Sequence, residues 1–283
     1  MQLLKTETLV SDIAFGEGPR WREGRLYYSD MHSQKVFAVD MAGEVEEICN
    51  VPNDPSGLGW LPDGRMLVVS MQDRRLLCLE SDGSLREVAN LTEHAGFHCN
   101  DMVVDQQGRA YVGNFGWDLH GGGEPRGANL VLVDPDGEMR VVAQDLSFPN
   151  GAVITDDGKT LIVGETMGHR LTAFDIEPQG TLVNQRVWAQ MTGVLPDGIC
   201  LDAEGGIWVA GPTSHGCFRV LEGGEITHKV EVDTQAFACM LGGPERRHLM
   251  ICTAGSSDPD ECKQNRDGHI EWVEVDVPGA GLP

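Results

Sequence analysis

The chain has 283 residues, of which 41% are hydrophobic, so it is long enough to bury one large core or two small ones. Its formal net charge of −23, from 21 basic and 44 acidic residues, disfavours nucleic-acid binding because such a chain repels phosphate groups. No segment has the length and hydropathy of a membrane span, and the first residues, MQLLKTETLV, do not resemble a signal peptide. The eight cysteines form no CxxC pair, which favours free thiols. We therefore expect a cytoplasmic protein without nucleic-acid or membrane partners.

One pattern recurs six times: a short apolar strand, a turn that contains glycine, and a second apolar strand. The copies are FGEGPRWREGRLYYSD (15–30), DPSGLGWLPDGRMLVVS (54–70), HCNDMVVDQQGRAYVGN (98–114), FPNGAVITDDGKTLIVGE (148–165), LPDGICLDAEGGIWVAG (195–211) and QAFACMLGGPERRHLMICT (235–253). A further turn follows each copy, at Gly43, Gly83, Gly137, Gly180, Gly224 and Gly268, so the unit repeats every 40 to 54 residues. Six units of about four strands predict an all-β fold, a six-bladed β-propeller.

The ring is expected to form one domain over residues 1–283, since no Pro- or Ser-rich linker divides the chain. An open ring would leave an unpaired strand edge. The N-terminal segment TETLV is therefore predicted to pair with the last blade and close the propeller.

Aligning the copies on their turn glycines brings one polar position into register. It is occupied by Glu17, Ser56, Asn100, Asn150 and Asp197, and in the sixth copy by Phe237. The first strand of each blade lines the central channel, so these side chains should meet around the axis. Carboxylate and amide oxygens suit Ca²⁺, Mg²⁺ or Mn²⁺, and two carboxylates at one mouth repel each other without a cation. The alignment predicts a metal site, with simple turn formation as the alternative for each residue.

Four motifs resemble the signatures of the senescence marker protein/regucalcin/gluconolactonase family: FGEGPRW, NDMVVDQQGRAYVG, FPNGAVITDDGKTLIVGET and LPDGICLDAEGGIWVA. The resemblance spans nearly the whole chain. It implies a six-bladed propeller with one catalytic divalent metal, held by Glu17, Asn150 and Asp197. It also implies that Asn100, in the ND motif, contacts metal or substrate. We expect Ca²⁺ first, with Mn²⁺, Mg²⁺, Zn²⁺ or Fe²⁺ as alternatives.

The chain departs from this pattern at HCND. Sugar-lactone hydrolases of the family resemble RxND there, with an Arg that contacts substrate, whereas this chain has His98. Imidazole lacks the forked donors of Arg, so the resemblance supports a lactone substrate without supporting a polyhydroxylated one. His98 is predicted to donate to a ligand oxygen or to transfer a proton; the alternative is a hydrogen bond to backbone.

Two other segments carry candidate residues. The glycine-rich segment NFGWDLHGGGEPRG (114–127) is predicted to cover the site and to turn Trp117 and His120 toward substrate, with a plain surface loop as the alternative. In GETMGHRL, we expect Glu165, Thr166 and Arg170 to tie one blade to the next.

These residues predict a metal-dependent lactonase that hydrolyses a small cyclic ester, as a monomer or homodimer. Asp197 is the predicted base that activates water, and Glu17 holds the ion and sets its charge. No GxSxG motif is present, which argues against a serine hydrolase. Two alternatives stay open. One is phosphotriester or fluorophosphate hydrolysis, because diisopropylfluorophosphatase propellers share a similar Glu/Asn/Asn/Asp shell. The other is a non-catalytic calcium-binding propeller.

Overall fold

The computed structural model describes residues 2–119 and 121–283, whose 25 strands form six sheets. The chain begins with β1 (Gln2–Lys5) and β2 (Glu7–Ile13). The first blade contains β3 (Gly16–Arg22), β4 (Arg25–Asp30), β5 (Lys35–Val39) and β6 (Val45–Asn50). The second contains β7 (Pro55–Trp60), β8 (Met66–Ser70), β9 (Arg75–Leu79) and β10 (Leu85–Asn90). The third contains β11 (Cys99–Val104), β12 (Ala110–Asn114), β13 (Ala128–Val133) and β14 (Met139–Leu146).

The remaining three blades follow the same plan. The fourth contains β15 (Pro149–Ile154), β16 (Thr160–Glu165), β17 (Arg170–Ile176) and β18 (Leu182–Gln190). The fifth contains β19 (Ile199–Leu201), β20 (Ile207–Gly211), β21 (Gly216–Val220) and β22 (Ile226–Glu231). The sixth contains β23 (Gln235–Gly242), β24 (His248–Ala254) and β25 (Gly268–Glu274). The described helices are short: 3₁₀ turns at Met31–Ser33, Pro212–Ser214 and Pro244–Arg246, and α1 (Pro259–Asn265).

The sheets are arranged as a six-bladed β-propeller, as the repeat predicted. Within each blade the strands lie in chain order, with the first strand at one edge of the sheet. These first strands, β3, β7, β11, β15, β19 and β23, contact one another in sequence and close a ring around the channel. Strand β15 is buried along its whole length, whereas β6 at an outer edge is mostly exposed. The apolar inner runs thus reflect burial by both neighbouring blades.

The N-terminus closes the ring. Strand β2 pairs antiparallel with β25 and supplies the fourth strand of the sixth blade, which confirms the predicted role of this segment. Strand β1 was not predicted; it pairs in parallel with β22, so that the fifth sheet has five strands. The N-terminal segment therefore joins two adjacent blades.

Apolar side chains fill the spaces between blades. The cluster that joins the fifth, sixth and first blades includes Trp208, Tyr28 and Met250, which are each at most 2% exposed. All eight cysteines are free, and all but Cys49 are buried. Within the described ranges, no helix combines the length and apolar character needed to cross a bilayer.

Candidate functional site

The polar repeat position coincides with an irregularity in the inner strands. The register of the first four inner strands shifts at Glu17–Arg20, Pro55–Leu58, Cys99–Met102 and Pro149–Ala152. A β-bulge leaves a residue outside the regular pairing and redirects its side chain. In the fifth blade, strand β19 begins only at Ile199, so Asp197 lies just before it. Ser56, Asn100, Asn150 and Asp197 thus lie outside the regular ladder, whereas Glu17 still pairs with Ser29 and the register shifts just after it.

The small residue at the next position lets neighbouring inner strands touch. A Cβ on Gly151 would lie 2.5 Å from the backbone nitrogen of Ile199 in the next blade. A Cβ on Gly18 would lie 2.5 Å from the carbonyl oxygen of Ser56, and Gly18 also has a φ of +54°, which disfavours other residues. The predicted close backbone approach at Gly151 is therefore present.

Asp101 replaces glycine at this position in the third blade and forms a buried ion pair. Its Oδ1 accepts a hydrogen bond at 2.6 Å from Arg20, and both side chains are at most 5% exposed. Arg20 also donates to the carbonyl oxygens of Leu58 and Met102, at 2.9 and 2.6 Å. One guanidinium thus connects the first, second and third blades.

The four predicted metal ligands line one cavity at the end of the channel. The cavity has a volume of about 270 Å³, and the four are Glu17, Asn100, Asn150 and Asp197. Each of them is at most 8% exposed. Ser56, at the same repeat position, is fully buried and donates a long hydrogen bond of 3.5 Å to Asn100 Oδ1. Ser56 supports Asn100 and does not itself line the cavity.

The amide of Asn150 is oriented by Thr166. The Thr166 hydroxyl donates to the carbonyl oxygen of Pro196 at 2.7 Å, so it can only accept from Asn150 Nδ2, which lies 3.3 Å away. Asn150 Oδ1 is left without a hydrogen-bond partner. Of the three residues expected to tie blades together, Thr166 does so. Glu165 accepts a hydrogen bond at 2.7 Å from the backbone of Ser147, which links the third and fourth blades. Arg170 pairs with Glu165 within the fourth blade at 2.7 Å.

Burial disfavours the charged forms of the two cavity carboxylates, Glu17 and Asp197. Burial raises the pKa of Glu17 well above its ordinary value, and the charges of Asp197 and Asp101 raise it further. Burial likewise raises the pKa of Asp197, against a lowering hydrogen bond from Asn150. Asp197 Oδ1 is buried and has no hydrogen-bond partner. These features fit a divalent cation, which would satisfy the unpartnered oxygens and offset both charges.

Half of the donor set is neutral, since two of the four residues are amides. Among residues 2–119 and 121–283, no group of three or more His, Cys, Asp or Glu side chains is placed to hold a metal ion. Two carboxylates and two amides are therefore what the chain offers at this position. Oxygen ligands of both kinds are typical of Ca²⁺ sites.

The alignment did not single out a second ring of cavity residues. It lies two residues before the polar position and comprises Phe15, Asp54, His98, Phe148 and Gln235. A third group follows the second strand of the blades and includes Met31, His32, Met71, Gln72, Phe115 and Met167. The first four of these residues directly precede their inner strands and Gln235 begins one, so a shared repeat position was the signal for the second ring.

The predicted substrate contacts are placed differently from one another. His98 lines the cavity, and its ring stacks on Phe97 with centroids 4.0 Å apart. Trp117 is buried and is not part of the cavity wall; it packs edge-on against Phe148 at 5.4 Å. His120 lies outside the described residues. The roles of these residues toward substrate stay predictions.

His32 and Asp54 add a polar corner to the cavity. Asp54 Oδ2 lies 3.6 Å from His32 Nδ1 and accepts a hydrogen bond from Gln72 at 2.7 Å. His32 Nδ1 has no hydrogen-bond partner, and only 5% of the side chain is exposed. Nothing in the sequence pattern beyond their shared repeat positions distinguished these two residues.

The fold and cavity define a six-bladed propeller with an oxygen-lined, acidic site at one end of its channel. The sequence profile of the SMP-30/gluconolactonase/LRE-like region matches residues 15–255. The chain belongs to this family.

Several characterised proteins resemble the chain over most of their length. It is 27% identical to a pentonolactonase, XacC, of Haloferax volcanii, over 98% of this chain and 96% of that protein. It is 26% identical to a 6-deoxy-6-sulfogluconolactonase of Pseudomonas putida, over 95% and 94% of the two chains. The chain superposes on a crystal structure of a calcium-binding protein, regucalcin, from Agrobacterium tumefaciens, over 100% of this chain and 98% of the regucalcin chain. That structure has a TM-score of 0.83 at 21% identity, which shows the shared fold.

Proposed function

We propose that this protein is a divalent-metal-dependent lactonase whose site is the cavity around Glu17, Asn100, Asn150 and Asp197. One observation carries the proposal: Asn150 Oδ1 and Asp197 Oδ1 are buried without hydrogen-bond partners in a cavity that also contains Glu17. Buried oxygens of this kind are costly unless a ligand satisfies them. The names of the related lactonases support the ester-hydrolase part of the proposal.

The residues divide the work of ring opening. A divalent ion held by these oxygens supplies Lewis acidity for an ester carbonyl and for the oxyanion that forms from it. Asp197 accepts a proton from the attacking water, whose oxygen adds to the carbonyl carbon. The ring C–O bond then breaks, and Asp197 returns the proton to the departing alkoxide. The product is a hydroxy acid.

The other ligands keep the site electrophilic and rigid. Glu17 supplies the second negative charge, and Asn100 and Asn150 add oxygens without adding charge. Thr166 holds the Asn150 amide so that its oxygen faces the site. His98 lines the same cavity, which supports its predicted contact with the substrate.

The test combines elemental analysis of the purified protein with a lactone panel followed by acid release, with and without chelator. We expect bound divalent metal and hydrolysis that chelation abolishes. Asp197→Asn should lower kcat by about a hundredfold or more, in line with the loss of a general base. The matched control is Asp136→Asn, since Asp136 is exposed in a turn and accepts only a local hydrogen bond from Glu138.

Other outcomes separate the alternatives. Metal binding without turnover of any ester would indicate a non-catalytic binding protein. Faster turnover of a fluorophosphate than of every lactone would indicate the phosphotriesterase-type reaction. Lactone hydrolysis that persists in a protein shown to be metal-free would overturn the metal site.

A further inference from the structure

We propose that the cavity selects a neutral lactone with an alkyl or aryl substituent and discriminates against lactones that carry an anionic group. This inference rests on the proposed lactonase activity and adds the class of substrate. It follows from three properties of the cavity: its wall, its rim and its charge.

Aromatic and thioether side chains form much of the wall above the polar floor, beside polar ones such as Gln235. Phe115 and Phe148 stack with ring centroids 4.5 Å apart, and Phe15 packs against Phe237 at 4.6 Å. All four rings line the cavity, as do the buried methionines Met31 and Met71. The aromatic and thioether side chains offer dispersion contacts, so this part of the wall favours an apolar group on the substrate.

The rim carries exposed side chains of both kinds: Gln72, Thr213 and Ser257 are polar, and two others are apolar. Four large hydrophobic side chains are exposed in the described part of the chain, and two of them, Leu119 and Met167, line this cavity. Their exposed fractions are 37% and 43%. Exposed apolar side chains gathered at a cavity mark a surface that a ligand covers. Leu119 and Met167 therefore extend the apolar part of the wall to the opening, where a substituent would project from the lactone ring.

The charges of the cavity disfavour an anion. No Lys or Arg side chain lines it among the described residues, whereas Glu17, Asp54 and Asp197 do. A bound divalent cation would offset two of these three carboxylates, and the chain as a whole carries −23. An anionic substituent would thus lose its hydration without gaining a cationic side chain. The corner formed by His32 and Asp54 leaves a place for a neutral hydroxyl or carbonyl group.

Substrate selectivity is tested first with five-membered lactones that differ only in the substituents on the ring. The lactones are γ-butyrolactone, γ-decalactone with a hexyl chain, D-ribono-1,4-lactone with hydroxyls, and 5-oxotetrahydrofuran-2-carboxylate with an anion. We expect kcat/KM to be highest for γ-decalactone and lowest for the carboxylate. Each methylene that enters the cavity should tighten binding by about fourfold. The non-hydrolysable 2-hexylcyclopentanone should bind more tightly than cyclopentanone, as measured by calorimetry.

A pair of variants assigns the effect to the cavity. Met167→Arg places a cation at the rim; it should lower the preference for γ-decalactone over γ-butyrolactone by about threefold to tenfold. The same variant should raise relative activity on the carboxylate. Val187→Arg is the matched control, because Val187 is also exposed, at 56%, but lies on β18 outside the cavity. It should change neither ratio.

The outcomes distinguish this inference from the activity on which it rests. Binding of 2-hexylcyclopentanone with no hydrolysis of any lactone would remove the proposed activity and keep the apolar selectivity. Faster hydrolysis of the ribonolactone or the carboxylate than of γ-decalactone would overturn the inference and keep the activity. Equal effects of Met167→Arg and Val187→Arg would also overturn it.

Discussion

At the scale of single residues, the site depends on how each polar group is held. Asn150 presents its oxygen because Thr166, committed to the Pro196 carbonyl, can only accept from the amide nitrogen. Glu17 and Asp197 share a buried cavity that raises the pKa of both carboxyls, with burial as the main cause. Without a bound cation, the buried charges of Glu17 and Asp197 therefore destabilise the folded state.

These pKa shifts predict how the chelated protein responds to pH. The pKa values of Glu17 and Asp197 in the folded protein lie well above their ordinary values of 4.5 and 3.8. The folded state then binds more protons than the unfolded state, so stability present at low pH is lost as pH rises through the raised values. As pH rises above these ordinary values, we expect the Tm of the chelated parent to fall more steeply than that of Asp197→Asn. Thermal unfolding of both proteins across a series of pH values measures it.

Metal provides the control for this prediction. Saturation with Ca²⁺ or Mn²⁺ should remove the excess pH dependence of the parent, because the cation offsets both charges. Identical pH slopes for the chelated parent and Asp197→Asn would show that these carboxylates do not carry the effect.

His98 offers a second prediction at this scale. Since His98 lines the cavity, His98→Arg should place a charged fork of donors beside the substrate. A charge-assisted hydrogen bond is worth about 1.5–3 kcal/mol, so relative activity on polyhydroxylated lactones should rise by one to two decades. The measurement is the ratio of kcat/KM for ribonolactone and γ-decalactone. His94→Arg, outside the cavity, is the control; an unchanged ratio in His98→Arg would exclude His98 from specificity.

At the scale of elements, the inner strands carry both the site and the contacts that hold it. Register shifts lie beside most of the polar residues, and the glycines next to them bring adjacent blades into backbone contact. The Arg20–Asp101 pair spans 81 residues of sequence and joins strands β3, β7 and β11. The channel is thus held together by a buried polar connection close to the proposed metal ligands.

Breaking this ion pair should destabilise the fold strongly. Arg20→Met and Asp101→Asn each leave a buried partner unsatisfied, which costs about 3–5 kcal/mol of unfolding free energy. The double variant should cost less than the sum of the two. Urea unfolding of the chelated proteins measures these values. Glu46→Gln, which removes an exposed pair with Arg25, is the control and should cost about 0–1 kcal/mol. Strict additivity would show that Arg20 and Asp101 act independently.

At the scale of the whole molecule, the propeller is closed by its own N-terminus. Strand β2 covers the edge of β25, and β1 adds to the neighbouring blade through β22. Without β2, the sixth blade would expose an unpaired strand edge. The closure holds the sixth blade, which contributes Phe237 and Gln235 to the cavity.

Two truncations should therefore differ. Removal of residues 1–13 deletes both strands and should lower the Tm, broaden unfolding and promote self-association through β25. Removal of residues 1–5 deletes only β1 and should have a smaller effect on all three. Thermal unfolding and light scattering at several concentrations compare them. Equal behaviour of the two shortened proteins would show that β2 is not the closing element.

Much of this molecule follows from local pattern. Strand alternation, turn glycines and a regular repeat are properties of short segments, and six copies of one unit leave a propeller as the economical way to bury them. The same repeat placed Glu17, Asn100, Asn150 and Asp197 at equivalent positions. Equivalent positions in a ring of blades face the same axis, so the sequence predicted that these residues lie together.

Other features depend on contacts between residues far apart in the chain. The alignment treated Ser56 as equal to Asn100, but packing turns Ser56 into a support for that residue. The direction of the Asn150 amide depends on Thr166 and Pro196, which belong to other strands and loops. The aromatic wall joins rings from different blades, such as Phe15 with Phe237. No local pattern encodes which side chains meet in this way, so only the closed ring decides what surrounds the four oxygens.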